Sequence, residues 1–138
     1  MAGYSGTPLV KKLGIKPGHR VALVNAPDDF ESLLEDLPDD AAIHRDLACA
    51  KFNVILCFTK DFKQLRATFG RCVKKLDPAG GLWVAWPKKA SGVPTDLTDE
   101  IIRVFGLETG LVDNKVCAID DTWSGLRFVV RLQDRPGK

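Results

Sequence analysis

Residues 18–29 read GHRVALVNAPDD, and the fold turns on the interior of that stretch. Val21, Ala22, Leu23 and Val24 form an apolar run that stops abruptly at Asn25, Ala26 and Pro27. A run without polar alternation is the pattern of a strand covered on both faces, and such strands belong to parallel sheets. Asp28 and Asp29 then suit the positive end of a helix dipole, and Phe30, Leu33, Leu34 and Leu37 follow at helical spacing before Pro38. The stretch and its sequel predict strand, turn and helix, the first half of a crossover unit.

Downstream, residues 42–45 (AIHR) predict a weaker strand and residues 53–59 (NVILCFT) a second strongly apolar one. Residues 61–76 carry Phe62, Leu65, Phe69, Cys72, Val73 and Leu76 with charges between them, the pattern of an amphipathic helix. Residues 77–81 (DPAGG) break it, and residues 82–86 (LWVAW) predict a third strand. Residues 87–94 (PKKASGVP) read as a loop. Thr95 or Asp96 is expected to cap a helix bearing Leu97, Ile101, Val104 and Phe105, ended by Gly106 or Gly110. Strands at 116–119 and 126–132, joined by residues 120–125 (DDTWSG), predict an antiparallel pair. Upstream, residues 8–13 predict a short helix. The sum is one α/β domain over residues 1–134, a Rossmann-like three-layer sandwich with a mainly parallel sheet and an antiparallel C-terminal pair, followed by a flexible tail at 135–138.

A chain of 138 residues is expected to hold one hydrophobic core. Its 20 basic residues are nearly balanced by 18 acidic ones, and the signs alternate, so no nucleic-acid partner is expected. Lys11, Lys12 and Lys16, like Lys74 and Lys75, read as solvated faces. The opening residues have no apolar leader core and no run approaches spanning length, which predicts neither secretion nor a membrane partner. Cys49, Cys57, Cys72 and Cys117 are dispersed, with only His19 and His44 as possible co-ligands, so no metal is expected. Cys57 and Cys72 fall on apolar positions typical of buried free thiols, which points to a reducing, cytoplasmic setting.

The order of elements, with the Leu76-Asp77-Pro78-Ala79-Gly80-Gly81-Leu82 turn before a late strand, resembles a truncated class I S-adenosylmethionine-dependent methyltransferase. Residues 4–9 (YSGTPL), 21–27, 81–96 (GLWVAWPKKASGVPTD) and 111–125 (LVDNKVCAIDDTWSG) further resemble a small bacterial family of unknown function. The first resemblance implies S-adenosylmethionine as a possible cofactor, held over a glycine-rich turn after the first strand. Here that turn is Asn25-Ala26-Pro27-Asp28-Asp29, without glycine and with one fewer N–H donor. Asp46, near the end of the second strand, could stand where that fold places an acidic residue on the cofactor ribose, or be a solvated loop carboxylate.

Ligands of parallel α/β sheets gather beyond the carboxyl ends of the strands. The ligand-binding candidates there are Asn25 and Pro27 after the first strand, then Trp86, Lys88, Lys89, Ser91, Thr95 and Asp96 around the loop, a mixture able to stack on a ring and hold an anion. Trp83 and Trp86 could equally pack under helices. Asp120 and Asp121 read as turn residues, and His19 and His44 as surface or structural histidines. No nucleophile elbow, phosphate loop or Ser-His-Asp order is present. The leading expectation is a non-catalytic domain that binds a small anionic or aromatic ligand, or a protein partner, at the strand ends, with no resident cofactor. The alternatives are a divergent methyltransferase or other nucleotide-cofactor enzyme, and a homo-oligomeric component that associates through an exposed last strand.

Overall fold

A computed structural model describes residues 8–48 and 51–134; Cys49, residues 4–7 and the 135–138 tail lie outside the described residues. Among the described residues six strands form one mixed sheet. The apolar runs singled out above become β1 (Arg20–Val24), β3 (Phe52–Phe58) and part of β4 (Leu76–Pro87), and the weaker run becomes β2 (Ala42–His44). β1 lies between β2 and β3, all parallel, and β3 pairs in parallel with β4. Beyond β4 the sheet becomes antiparallel, through β6 (Trp123–Val130) to β5 (Leu111–Ala118) at the edge, giving the order β2-β1-β3-β4-β6-β5.

Alternate side chains of each strand go to opposite faces, which splits the core in two. On one face Ala22, Val24, Ile55, Cys57, Val84 and Trp86 meet α2 (Phe62–Lys75) and α3 (Asp99–Glu108). On the other, Val21, Leu23, Leu56, Phe58, Trp83 and Ala85 meet α1 (Leu9–Leu13) and the segment after β1. The layers are those of a Rossmann-like α/β sandwich with methyltransferase-like strand order.

α2 is the helix that its periodicity announces. Leu65, Phe69 and Cys72 are buried along one stripe, and the Asp61 carboxylate accepts the Gln64 N–H at 2.8 Å, a cap worth about 1 kcal/mol. α1 is anchored differently. The buried Trp83 indole donates to the Leu13 carbonyl at 3.1 Å, fixing the end of a helix too short to stand alone.

Five local expectations need correction. The helix expected after Pro27 is only a 3-10 turn, Phe30–Leu33. Phe30 and Leu34 are buried, but Leu33 and Leu37 are exposed, and Asp36 takes a positive φ of 58° that a right-handed helix cannot contain. The break at residues 77–81 is a bulge inside β4: Phe52 pairs with Leu76 and Val54 with Gly81, so the extra residues loop out between two ladder positions. α3 starts later than expected, with Thr98 accepting the Ile101 N–H at 3.2 Å; Gly106 lies inside the helix, and it is Gly110, just after the C-cap and with a positive φ of 98°, that ends it as expected. β5 begins at Leu111 rather than at 116, and Trp123 belongs to β6 rather than to the joint. Finally, the edges of the sheet are β2 and β5 and not the last strand, because β6 is inserted between β4 and β5.

Gly106 permits the closest approach of α3 to the sheet, since a Cβ there would overlap the fully buried Phe128 ring. Gly70 of α2, by contrast, faces open space. Gly70→Ala should therefore stabilise the fold by about 0.5–1 kcal/mol through helix propensity. Gly106→Ala should destabilise it, because overpacking costs about 1–3 kcal/mol and outweighs the same propensity gain. Urea unfolding of the two variants checks the opposite signs; equal stabilisation by both would mean that α3 does not press on Phe128.

Candidate functional site

The carboxyl end of β1 is shaped by a guanidinium. After Val24 the chain turns at Asn25, which adopts φ 59°, a left-handed conformation that asparagine tolerates better than most residues. Ala26, Pro27 and Asp28 then direct their carbonyls toward Arg45, the residue that follows β2. Arg45 Nη1 donates to the Ala26 carbonyl at 3.2 Å, and Nη2 donates to those of Pro27 at 2.7 Å and Asp28 at 3.1 Å. The same guanidinium grips Glu31 in a two-pronged ion pair, Nε to Oε2 at 2.7 Å and Nη2 to Oε1 at 2.6 Å. The parallel pairing of β1 with β2 makes this reach possible, because Ala22 opposite His44 brings the two strand ends side by side.

Local charge explains why an arginine sits here. Residues 28–40 contain seven carboxylates and no lysine or arginine, and Arg45 is the next cation along the chain. Its hydrogen bonds hold the Glu31 carboxyl below its ordinary pKa, with a further contribution from a main-chain N–H, so the pair persists through neutral and mildly acidic pH. Sequence reading passes over Arg45 as the last residue of a weak strand. The signal it offered was that acidic tract without a counter-ion.

Behind this turn the space is filled by rings. Phe30, Phe58 and Trp123 stack edge to face, each successive pair of centroids 5.0 Å apart. Thr59 at the end of β3 is fully buried, with its N–H and its hydroxyl both donating to the Ala85 carbonyl. Trp86 is likewise a core residue on the α2 and α3 face, only 7% exposed, and does not form a rim.

The loop after β4 is largely occupied with holding itself together. The Lys88 N–H donates to the Thr122 carbonyl at 2.8 Å, and the Ser91 hydroxyl donates to the Lys88 carbonyl at 2.6 Å while accepting the Val93 N–H. Thr95 accepts the Leu97 N–H, and Asp96 accepts the Phe62 N–H at 2.9 Å, supplying a partner to the first turn of α2 rather than capping α3. Lys88 is half-buried and Lys89 exposed, and among the described residues neither ammonium makes an ion pair. Asn25 and Pro27 stand at the end of β1, separated from this loop by β3. Asp46 is exposed and accepts the Ala48 N–H at 3.1 Å, the hydrogen bond of a local turn. Among the described residues no group of three or more His, Cys, Asp or Glu side chains could hold a metal ion, and no helix is long and apolar enough to cross a membrane.

No protein-family model and no curated protein matches the sequence. Solved structures do match. The chain is similar to an S-adenosylmethionine-dependent methyltransferase from Aquifex aeolicus at a TM-score of 0.65 and 12% identity, over 89% of this chain and 88% of that one. It is similar to the magnesium protoporphyrin IX methyltransferase of Synechocystis PCC 6803 with bound S-adenosylhomocysteine at 0.60 and 12%, over 89% of this chain and 78% of that one. A third likeness, to a putative methyltransferase from Thermoplasma acidophilum, has a TM-score of 0.55 and 11% identity over 99% and 77% of the two chains. At such identities the likeness is one of fold, and the fold is that of the class I S-adenosylmethionine-dependent methyltransferases.

Proposed function

We propose that the chain is a non-catalytic binding domain on a methyltransferase scaffold, one that receives a small anionic or aromatic ligand, or a protein partner, at the carboxyl ends of its strands. The observation that carries this reading is the Arg45 clamp. Structures of this fold hold S-adenosylmethionine or S-adenosylhomocysteine, as in the Synechocystis enzyme. A glycine-rich turn after the first strand would let main chain approach such a ligand closely. The turn here has no glycine, and its carbonyls at Ala26, Pro27 and Asp28 are already taken by a guanidinium from the same chain. Asp46 has one carboxylate oxygen committed to its own turn. The residues present do not fit the cofactor at this position.

What remains available for binding is the pair of ammonium groups at Lys88 and Lys89, carried on a loop made rigid by its internal hydrogen bonds. A cytoplasmic setting accompanies this reading, in keeping with Cys57 and Cys72 buried in the apolar core. The second reading, a divergent methyltransferase, is favoured by the extent of the structural overlap, which reaches 88% of the Aquifex chain.

Calorimetry separates the two readings. With S-adenosylmethionine and S-adenosylhomocysteine each at millimolar concentration, no heat of binding is expected; saturable binding of either would establish the methyltransferase reading in its place. The clamp has its own test in Arg45→Ala. Amide hydrogen exchange should accelerate across residues 26–34 in that variant, with β3 and α2 left as protected as before. Unchanged exchange in the turn would show that Arg45 does not hold it.

A further inference from the structure

At the opposite end of the sheet, beneath the amino-terminal ends of β1 and β3, lies a cleft of about 260 Å³. Its eleven lining residues include Lys12, Lys16, His19, Lys115 and Arg127 and not one carboxylate. These five come from α1, the connection before β1, β5 and β6, so residues far apart in the chain converge on one small space. In a protein with 18 acidic residues against 20 basic ones, that local imbalance is not a reflection of composition.

The surroundings place these groups deliberately. The Trp83 indole bond to the Leu13 carbonyl fixes the end of α1 against the sheet and with it the position of Lys12. The Arg127 side chain crosses the main chain of Gly81, where any Cβ would collide with its guanidinium. Gly80 makes the same concession to the Asn53 carbonyl. His19 Nδ1 accepts the Lys16 N–H at 3.1 Å, which leaves the proton of the neutral ring on Nε2 as a donor. Partial burial, and then the nearby Lys16, hold the imidazole pKa below its ordinary value against the opposing pull of Asp77. Among the described residues Lys12, Lys16 and Lys115 make no ion pair. Three ammonium groups without ion-pair partners around so small a volume repel one another, and a multiply charged anion relieves that repulsion.

We propose that this cleft is a binding site for a small phosphate monoester, with Arg127 and the three lysines neutralising the phosphate dianion. The cleft is smaller than the 300–1,000 Å³ or so typical of drug-sized ligands, which favours a compact sugar- or nucleoside-sized phosphate over a dinucleotide. Its concave, convergent arrangement favours a small molecule over a nucleic-acid backbone, which is met by an extended basic stripe. The inference is independent of the strand-end reading, since the two sites lie at opposite ends of the parallel strands.

The test is an amide NMR titration of the full chain with inorganic phosphate and adenosine monophosphate, with adenosine as the uncharged control. Saturable shifts are expected at Lys12, Gly14, Lys16, His19 and Gly80 with both phosphates and not with adenosine. Lys16→Ala combined with Lys115→Ala, two exposed changes, should weaken binding about tenfold or more. Arg127→Lys, which keeps the charge, should weaken it less than Arg127→Gln, and the remainder of each spectrum reports whether the fold is intact. Shifts confined to residues 88–92 would overturn the cleft and support the loop instead. No saturation at tens of millimolar phosphate would overturn the proposal outright. An affinity that grows with the length of a single-stranded oligonucleotide would replace it with a nucleic-acid surface.

Discussion

The sheet changes from parallel to antiparallel at β4, and where that strand enters the sheet it meets its neighbours at two residues without side chains, Gly80 and Gly81. On one side the main chain of Gly80 lies against the Asn53 carbonyl of β3; on the other, the Arg127 side chain from β6 lies across Gly81. A methyl group at residue 80 would run into the main chain of Asn53, and one at residue 81 would displace the Arg127 guanidinium. The β3-α2-β4 crossover lies on the parallel side of this strand and the β5–β6 hairpin on the other. The buried Trp83, two residues further along β4, then carries the order outward to α1 through its indole N–H. The bond itself is worth only about 0.5–1.5 kcal/mol, but without it a buried donor and a carbonyl would be left unmatched.

Those parts of the fold that rest on burial were legible in the sequence. β1 and β3 are apolar without alternation because both of their faces are covered, and α2 shows a clean stripe because one of its faces is wet. Where burial is partial the signal weakens. Leu33 and Leu37 fall at helical positions but stay exposed, and nothing in the spacing of leucines reveals that Asp36 leaves helical geometry. Thr95, Asp96 and Thr98 are all residues that accept main-chain N–H bonds at helix starts. Each accepts a main-chain N–H, but Thr95 does so in the turn before α3, Thr98 at the start of α3, and Asp96 from Phe62 at the start of α2, which only the spatial neighbourhood reveals. The first half of β5 runs at the sheet edge with mostly exposed or half-buried positions, so its pattern carries little apolar information.

The candidate sites were less legible, and for a physical reason. An ion pair and a set of carbonyl contacts such as those of Arg45 join residues fourteen to nineteen positions apart, a relation that periodicity cannot encode. The cleft is harder still, since it depends on where a glycine permits a guanidinium to lie. Fold and chemistry separate here because different features specify them. Strand order and layers follow from apolar patterning, which survives at 12% identity to the Aquifex structure, whereas a cofactor site needs a few particular residues at one turn. In this chain that turn has no glycine, and its carbonyls are held by Arg45.

The edge strand also has a bearing on the behaviour of the chain at high concentration. An unpaired, flat strand invites further strands to add to it and so seeds aggregates. The register of β5 against β6 shifts between Asp113 and Lys115, which kinks the edge midway. Asp113 is also tied by its carboxylate to Arg103 of α3 at 2.9 Å, drawing that part of the strand toward the helix. At this edge the ladder is irregular and one carboxylate is tied back to a helix, two of the devices by which edge strands discourage strand-by-strand growth.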